Sequence, residues 1–134
     1  MDKAIEVRGV IDRAHYRTSI QADGHMLVSD ESEAVGGGDA GPAPAVFLAA
    51  SLASCTAITL RMYADRKGWD LTQAEIQVTV TSDKAAQITR INRVITLSGQ
   101  LSEPEKSRLL EIANKCPVHQ MLTHPIEVVS ALAL

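Results

Sequence analysis

Two cysteines, Cys55 and Cys116, are the residues best equipped to do chemistry, and they sit in very different surroundings. Cys55 lies within SLASCTAITLRMYADRKGW, an apolar stretch with helical character; Cys116 stands directly before a proline in ANKCPVHQML. A proline disfavours helical geometry in the residue before it and suits the first turn of a helix, so Cys116 is expected at or near a helix start. Unsatisfied N–H groups and the positive end of the helix dipole favour thiolate there, which makes Cys116 a candidate reactive thiol. A small structural residue filling a hole at a helix junction has the same local sequence, so both readings stand. Cys55 reads differently: burial inside an apolar helix raises a thiol pKa unless a cation or helix end is near.

Other groups compete for a role. A metal site could draw on Cys55, Cys116, His119 and one of His15, His25 or His124, but a single C-x-x-H pair without a second paired motif is a weak zinc signature. GGGDAGPAP, from Gly36 to Pro44, has the glycines of a phosphate loop without the Lys-Ser or Lys-Thr that holds phosphate and magnesium, and reads as a turn-rich connector. Arg93 shares a strand face with Ile91, Ile95 and Leu97. It is expected to pack its stem and extend its head to an edge or a carboxylate rather than to act in catalysis.

These groups must be positioned by an α+β chain. Residues 4–11, 14–22 and 25–29 read as a β-meander, with Ala22-Asp23-Gly24-His25 as an Asp-Gly turn between the last two strands. A helix is predicted from about Pro44 to the stop at Gly68, with Arg66 and Lys67 in its last turn. Residues 75–82 and 88–98 alternate as strands, the second ended by Gly99. Ser102 and Glu105 form an S-x-x-E capping box before a short helix whose apolar face is Leu109, Leu110, Ile112 and Ala113. A new helix follows Pro117, and PIEVVSALA from Pro125 reads as a closing strand.

Composition narrows the function classes. A chain of 134 residues, 46% hydrophobic and 22% charged, fits one globular domain over 1–134. A net charge of -3 and only four aromatic side chains, Phe47, Trp69, Tyr16 and Tyr63, argue against nucleic acid as a partner. The opening MDKAIEVRGV has no basic segment followed by a long apolar run, so a cytoplasmic location is expected, where two cysteines read as free thiols, a redox pair or ligands rather than a permanent staple.

The long helix poses its own problem. Gly41 to Leu60 carries no charge, long enough to raise the question of a membrane span, but its prolines and many Ala, Ser and Thr support insertion poorly and no membrane partner is expected. A soluble helix uncharged on every face must be covered on every face. At about 36 Å it is long against a radius of gyration of about 14 Å for a chain of this size, so a second copy is expected to cover the remainder.

GPAPAVFLAASLASCTAITLRMYADRKGW, followed some sixty residues on by LLEIANKCPVH, resembles the OsmC/Ohr family of thiol peroxidases, and in particular its short OsmC-like members; HMLVSDE and GGGDAGP suit the same subfamily. The resemblance implies an OsmC-like α+β fold with curved sheets around long central helices and an intertwined homodimer. It implies a stress-response oxidoreductase that reduces organic hydroperoxides without metal, haem, flavin or other cofactor. Cys55 would be the peroxidatic thiolate that becomes a sulfenic acid, and Cys116 would resolve it as a disulfide reopened by a dithiol reductant, lipoyl-bearing or thioredoxin-like. These roles oppose the local reading, which favours Cys116 as the activated thiol. The family activates its peroxidatic cysteine with an arginine from the N-terminal strands; Arg17 is the first candidate and Arg13 the second. Family members hold that arginine with a glutamate in G-P-x-P-x-E-L-L, where this chain has GPAPAVFL and Val46. Valine cannot hold a guanidinium, which leaves Asp30, Glu31 or Glu33 as substitutes and puts peroxidase efficiency in question. The alternative is a non-catalytic OsmC-like module that binds an apolar or acyl ligand at the dimer interface.

Overall fold

The computed structural model describes residues 4–134 and has two compact units, one up to Leu48 and one from Ala49 onward. In the first, β1 (Val7–Ile11), β2 (Thr18–Ala22) and β3 (His25–Ser29) pair antiparallel in the order β1-β2-β3. Asp23 and Gly24 connect β2 to β3 with φ of 49° and 80°, the two left-handed residues that a tight hairpin turn needs and that an Asp-Gly pair supplies. The strands begin later than the alternation suggested, at Val7 and Thr18 rather than at 4 and 14.

The glycine-rich stretch wraps around one buried acid at the end of β3. Asp30 is only 2% exposed and accepts the backbone N–H groups of Tyr16 (2.9 Å), Glu31 (2.7 Å) and Ala40 (3.0 Å). These N–H donors, Tyr16 first, lower its pKa to about 2. A Cβ on Gly37 would collide with the Glu31 carbonyl, and one on Gly41 with that of Val28, so these glycines allow close backbone approach. The segment is a connector with an internal anchor.

α1 (Pro44–Lys67) has the predicted length and ends. Gly68, at φ 70°, closes it: its N–H bonds to Asp65 O and that of Trp69 to Ala64 O, the paired bonds of a Schellman stop. Leu52, Thr56, Leu60, Tyr63 and Ala64 form its buried stripe. The single chain does not cover every face of α1, as its length suggests. Val46, Ile58 and Met62 remain exposed, Met62 at 67%.

In the second unit, β4 (Gln73–Asp83) pairs antiparallel with β5 (Ile88–Ser98), Val78 opposite Arg93. Ala74, Ile76, Ile95 and Leu97 pack from this ribbon against a core of Leu60, Tyr63, Ala64, Leu71, Leu109, Ile112 and Ala113. Full burial of Leu60 and of Leu109 contributes about 2 kcal/mol each. α2 (Glu103–Ala113) starts on the expected reciprocal cap: Ser102 Oγ accepts from Glu105 N, and Glu105 Oε1 accepts from Ser102 N. α3 (Pro117–Leu122) follows after a short turn.

The expected closing strand is absent. Residues 125–134 carry no regular structure, and Val128 and Val129 are 85% and 91% exposed. β-branched residues suit a strand, but a strand also needs a neighbouring edge to accept its backbone hydrogen bonds, and none of the described strands pairs with this segment.

Candidate active site

α1 and α3 bring the two cysteines together within the second unit. Cys116 is the N-cap of α3, with extended backbone (φ -65°, ψ 142°), and its sulfur accepts the N–H of His119 at 3.3 Å. Pro117 has no N–H to offer, so the first two free N–H groups of α3 are those of Val118 and His119. The Val118 N–H acts on the Cys55 thiol, lowering its pKa. One helix start therefore serves both thiols, and the proline after Cys116 fixes that start. Cys55 lies close enough to Cys116 for that thiol to raise its pKa, and both are free thiols.

Their exposures differ. Cys116 is fully buried, whereas Cys55 is only partly buried. Burial is the first cause that raises the Cys55 thiol above its ordinary value of 9.0; the Cys116 thiol raises it further, against the lowering effects of the Val118 N–H and Thr59. None of these is a cation.

Arg93 projects from the inner face of β5, as its register predicts, but its head reaches neither an edge nor a carboxylate. Nη1 donates to Thr56 Oγ1 (3.0 Å) and to Ala113 O (3.3 Å). Nη2 donates to Asn114 Oδ1 (2.9 Å) and to His119 Nδ1 (3.3 Å). An arginine only donates, so Nδ1 of His119 is the acceptor and the neutral ring carries its proton on Nε2. Burial, and then the Arg93 charge, lowers the His119 pKa below its ordinary 6.5, consistent with that neutral form. Thr56 completes the chain of contacts: it is fully buried, donates to Leu52 O at 2.7 Å, and its oxygen lies 3.8 Å from the Cys116 sulfur.

Arg93 and Thr56 are the residues that sequence reasoning missed as site residues. Thr56 adjoins Cys55 in the chain, and Arg93 is a cation on an apolar strand face; those were the available signals, and they did not identify a common partner. His119, considered above as a metal ligand, is engaged by Arg93, and among the described residues no group of three His, Cys, Asp or Glu side chains is placed to hold a metal ion. Arg17 and Arg13 are exposed in the first unit, and among the described residues neither forms an ion pair. Asp30, one substitute considered for the absent glutamate, is committed to backbone N–H groups instead.

Solved structures share this fold at low identity. An OsmC-like protein from Mycoplasma pneumoniae superposes with a TM-score of 0.78 at 21% identity, covering 91% of this chain and 89% of its own. The organic hydroperoxide resistance protein OhrB of Bacillus subtilis gives 0.62 at 20% identity, with 90% and 91% covered. An organic hydroperoxide resistance protein from Elizabethkingia anophelis gives 0.71 at 16% identity, with 95% and 93% covered. A comparison with curated protein sequences finds no match. The model of the OsmC-like protein family matches residues 36–130, a stretch that holds both cysteines, α1 and the Arg93 strand but not Arg17; with that match spanning most of its length, the chain belongs to the OsmC-like family.

Proposed function

We propose that this protein reduces organic hydroperoxides with its two cysteines. The observation that carries the reading is the pairing of a partly exposed thiol, Cys55, with a fully buried one, Cys116, close enough to raise its pKa. A peroxide can approach only the exposed member, which supports Cys55 as the attacking thiolate and Cys116 as its resolving partner. In the first step the Cys55 sulfur attacks the peroxide O–O bond, takes one oxygen to become a sulfenic acid, and the alkoxide leaves as an alcohol after protonation. In the second, the Cys116 sulfur displaces hydroxide from the sulfenic sulfur; a disulfide forms and water departs. A dithiol reductant, lipoyl-bearing or thioredoxin-like, then restores both thiols by exchange.

Arg17, with no glutamate at position 46 to fix it, is the proposed source of a weak positive charge that Cys55 lacks within its own unit, and Arg17→Gln should slow the first step. A homodimer is supported by the exposed Ile58 and Met62 on α1 and by the unpaired C-terminal run at Val128 and Val129. A cytoplasmic setting is the one in which such thiols stay reduced. The raised Cys55 pKa also favours a second reading, a non-catalytic module that binds an apolar or acyl ligand at the dimer interface. Peroxide consumption by the purified, metal-free protein distinguishes the two: turnover with a dithiol supports the peroxidase, and full recovery of the peroxide supports the binding module.

A further inference from the structure

We propose that Arg93 is a positioning residue for the resolving thiol, acting on the Cys116 sulfur through the hydroxyl of Thr56. The proposal rests on the two-cysteine reading above.

A threonine hydroxyl has one hydrogen and two acceptor sites. In the reduced protein that hydrogen goes to Leu52 O, and one acceptor site takes the Arg93 Nη1 hydrogen, so the other faces the Cys116 thiol and accepts its S–H. When Cys116 gives up its proton the geometry allows one change. The Thr56 hydrogen turns from Leu52 O to the sulfur, and the hydroxyl becomes a donor to an anion. Arg93 favours that turn, because a hydroxyl that accepts from a guanidinium is a stronger donor. The His119 N–H already lies on the same sulfur, and Arg93 also holds the His119 ring.

Among the described residues Arg93 is in none of the ion pairs; its four acceptors, Thr56 Oγ1, Ala113 O, Asn114 Oδ1 and the neutral His119 Nδ1, are all uncharged. The Arg93 hydrogen on the Thr56 oxygen fixes how that hydroxyl faces the Cys116 sulfur. The arrangement serves the second chemical step, in which Cys116 attacks sulfur bonded to Cys55.

That step can be isolated from peroxide chemistry. The reduced full-length protein is mixed with a small excess of 5,5′-dithiobis(2-nitrobenzoate). Cys55, the accessible thiol, displaces one thionitrobenzoate and becomes a mixed disulfide. Cys116 then attacks the Cys55 sulfur, the Cys55–Cys116 disulfide forms, and the second thionitrobenzoate leaves with the electron pair as a coloured thiolate. The first release shows that Cys55 is in place, and the second reports the Cys116 attack alone. Thr56→Val, which keeps the shape and deletes the hydroxyl, and Arg93→Gln should each slow the second release by roughly ten- to a hundredfold, the range of one hydrogen bond to a charged group. Thr56→Ser should restore it to within a few-fold. A second release in Thr56→Val or in folded Arg93→Gln as fast as wild type would overturn the proposal, as would a Thr56→Ser protein as slow as Thr56→Val. Since no peroxide is used, failure here is separate from failure of the peroxidase reading, which would show as unconsumed hydroperoxide with normal second release.

Discussion

The reactivity of Cys55 should depend steeply on pH, and the slope follows from its surroundings. Burial and the Cys116 thiol raise its pKa above 9.0, with the Val118 N–H and Thr59 opposing. A thiol with a pKa at or above 9.0 is at most about 1% thiolate at pH 7, and its thiolate fraction grows about tenfold with each pH unit below the pKa. The first step should therefore accelerate about a hundredfold between pH 6 and pH 8. Removing Cys116 removes two of the causes that raise the value, so Cys116→Ser should react faster than wild type at pH 7, each unit of recovered acidity giving tenfold more thiolate. Stopped-flow consumption of an alkyl hydroperoxide under single-turnover conditions reads this rate in both proteins. A wild-type rate that is flat from pH 6 to pH 8 would refute the reasoning, because it would require a thiol already ionised by a cation fixed beside it. A Cys116→Ser protein slower than wild type in this first step would refute the sign assigned to Cys116.

Other outcomes follow from the same geometry. Val46 is 51% exposed, so Val46→Glu should fold normally and, by tethering Arg17 or Arg13, lower the Cys55 pKa and flatten the rate profile; an unchanged profile would mean that the arginine is held in another way. Met62→Arg falls on an exposed position where a monomer would lose no more than about 0.5 kcal/mol, yet it should dissociate the proposed dimer in light scattering; an unaltered dimer would remove α1 from the interface. Asp30 has its pKa lowered to about 2 by backbone N–H donors, so its contribution to stability is complete above the ordinary 3.8 and is lost as pH falls toward 2. Asp30→Asn should abolish that acid-limb loss and weaken the first unit at neutral pH, read by chemical denaturation across the pH range.

Features encoded locally were the ones legible in the sequence. The Asp-Gly hairpin, the Ser102 capping box, the Gly68 stop and the placement of Cys116 before Pro117 each depend on a few adjacent residues, and each forms as expected. Features that depend on distant partners were not legible. Arg93 and Thr56 meet across 37 positions, and alternation along β5 gives the face of Arg93 without saying what lies opposite. The exposure of Cys55 was hidden because α1 is apolar all round, so no periodicity marks which stripe, here Leu52, Thr56, Leu60 and Tyr63, will be buried. PIEVVSALA has strand-forming residues, but propensity cannot supply the neighbouring edge that makes a strand.

The central claim, that Cys55 and Cys116 form one redox pair, is tested most directly by mass spectrometry after a single equivalent of an organic hydroperoxide. The account predicts loss of two hydrogens from the intact chain and a peptide that links Cys55 to Cys116. Two free thiols with unconsumed peroxide, or an oxygen retained on Cys116 with no link to Cys55, would contradict it.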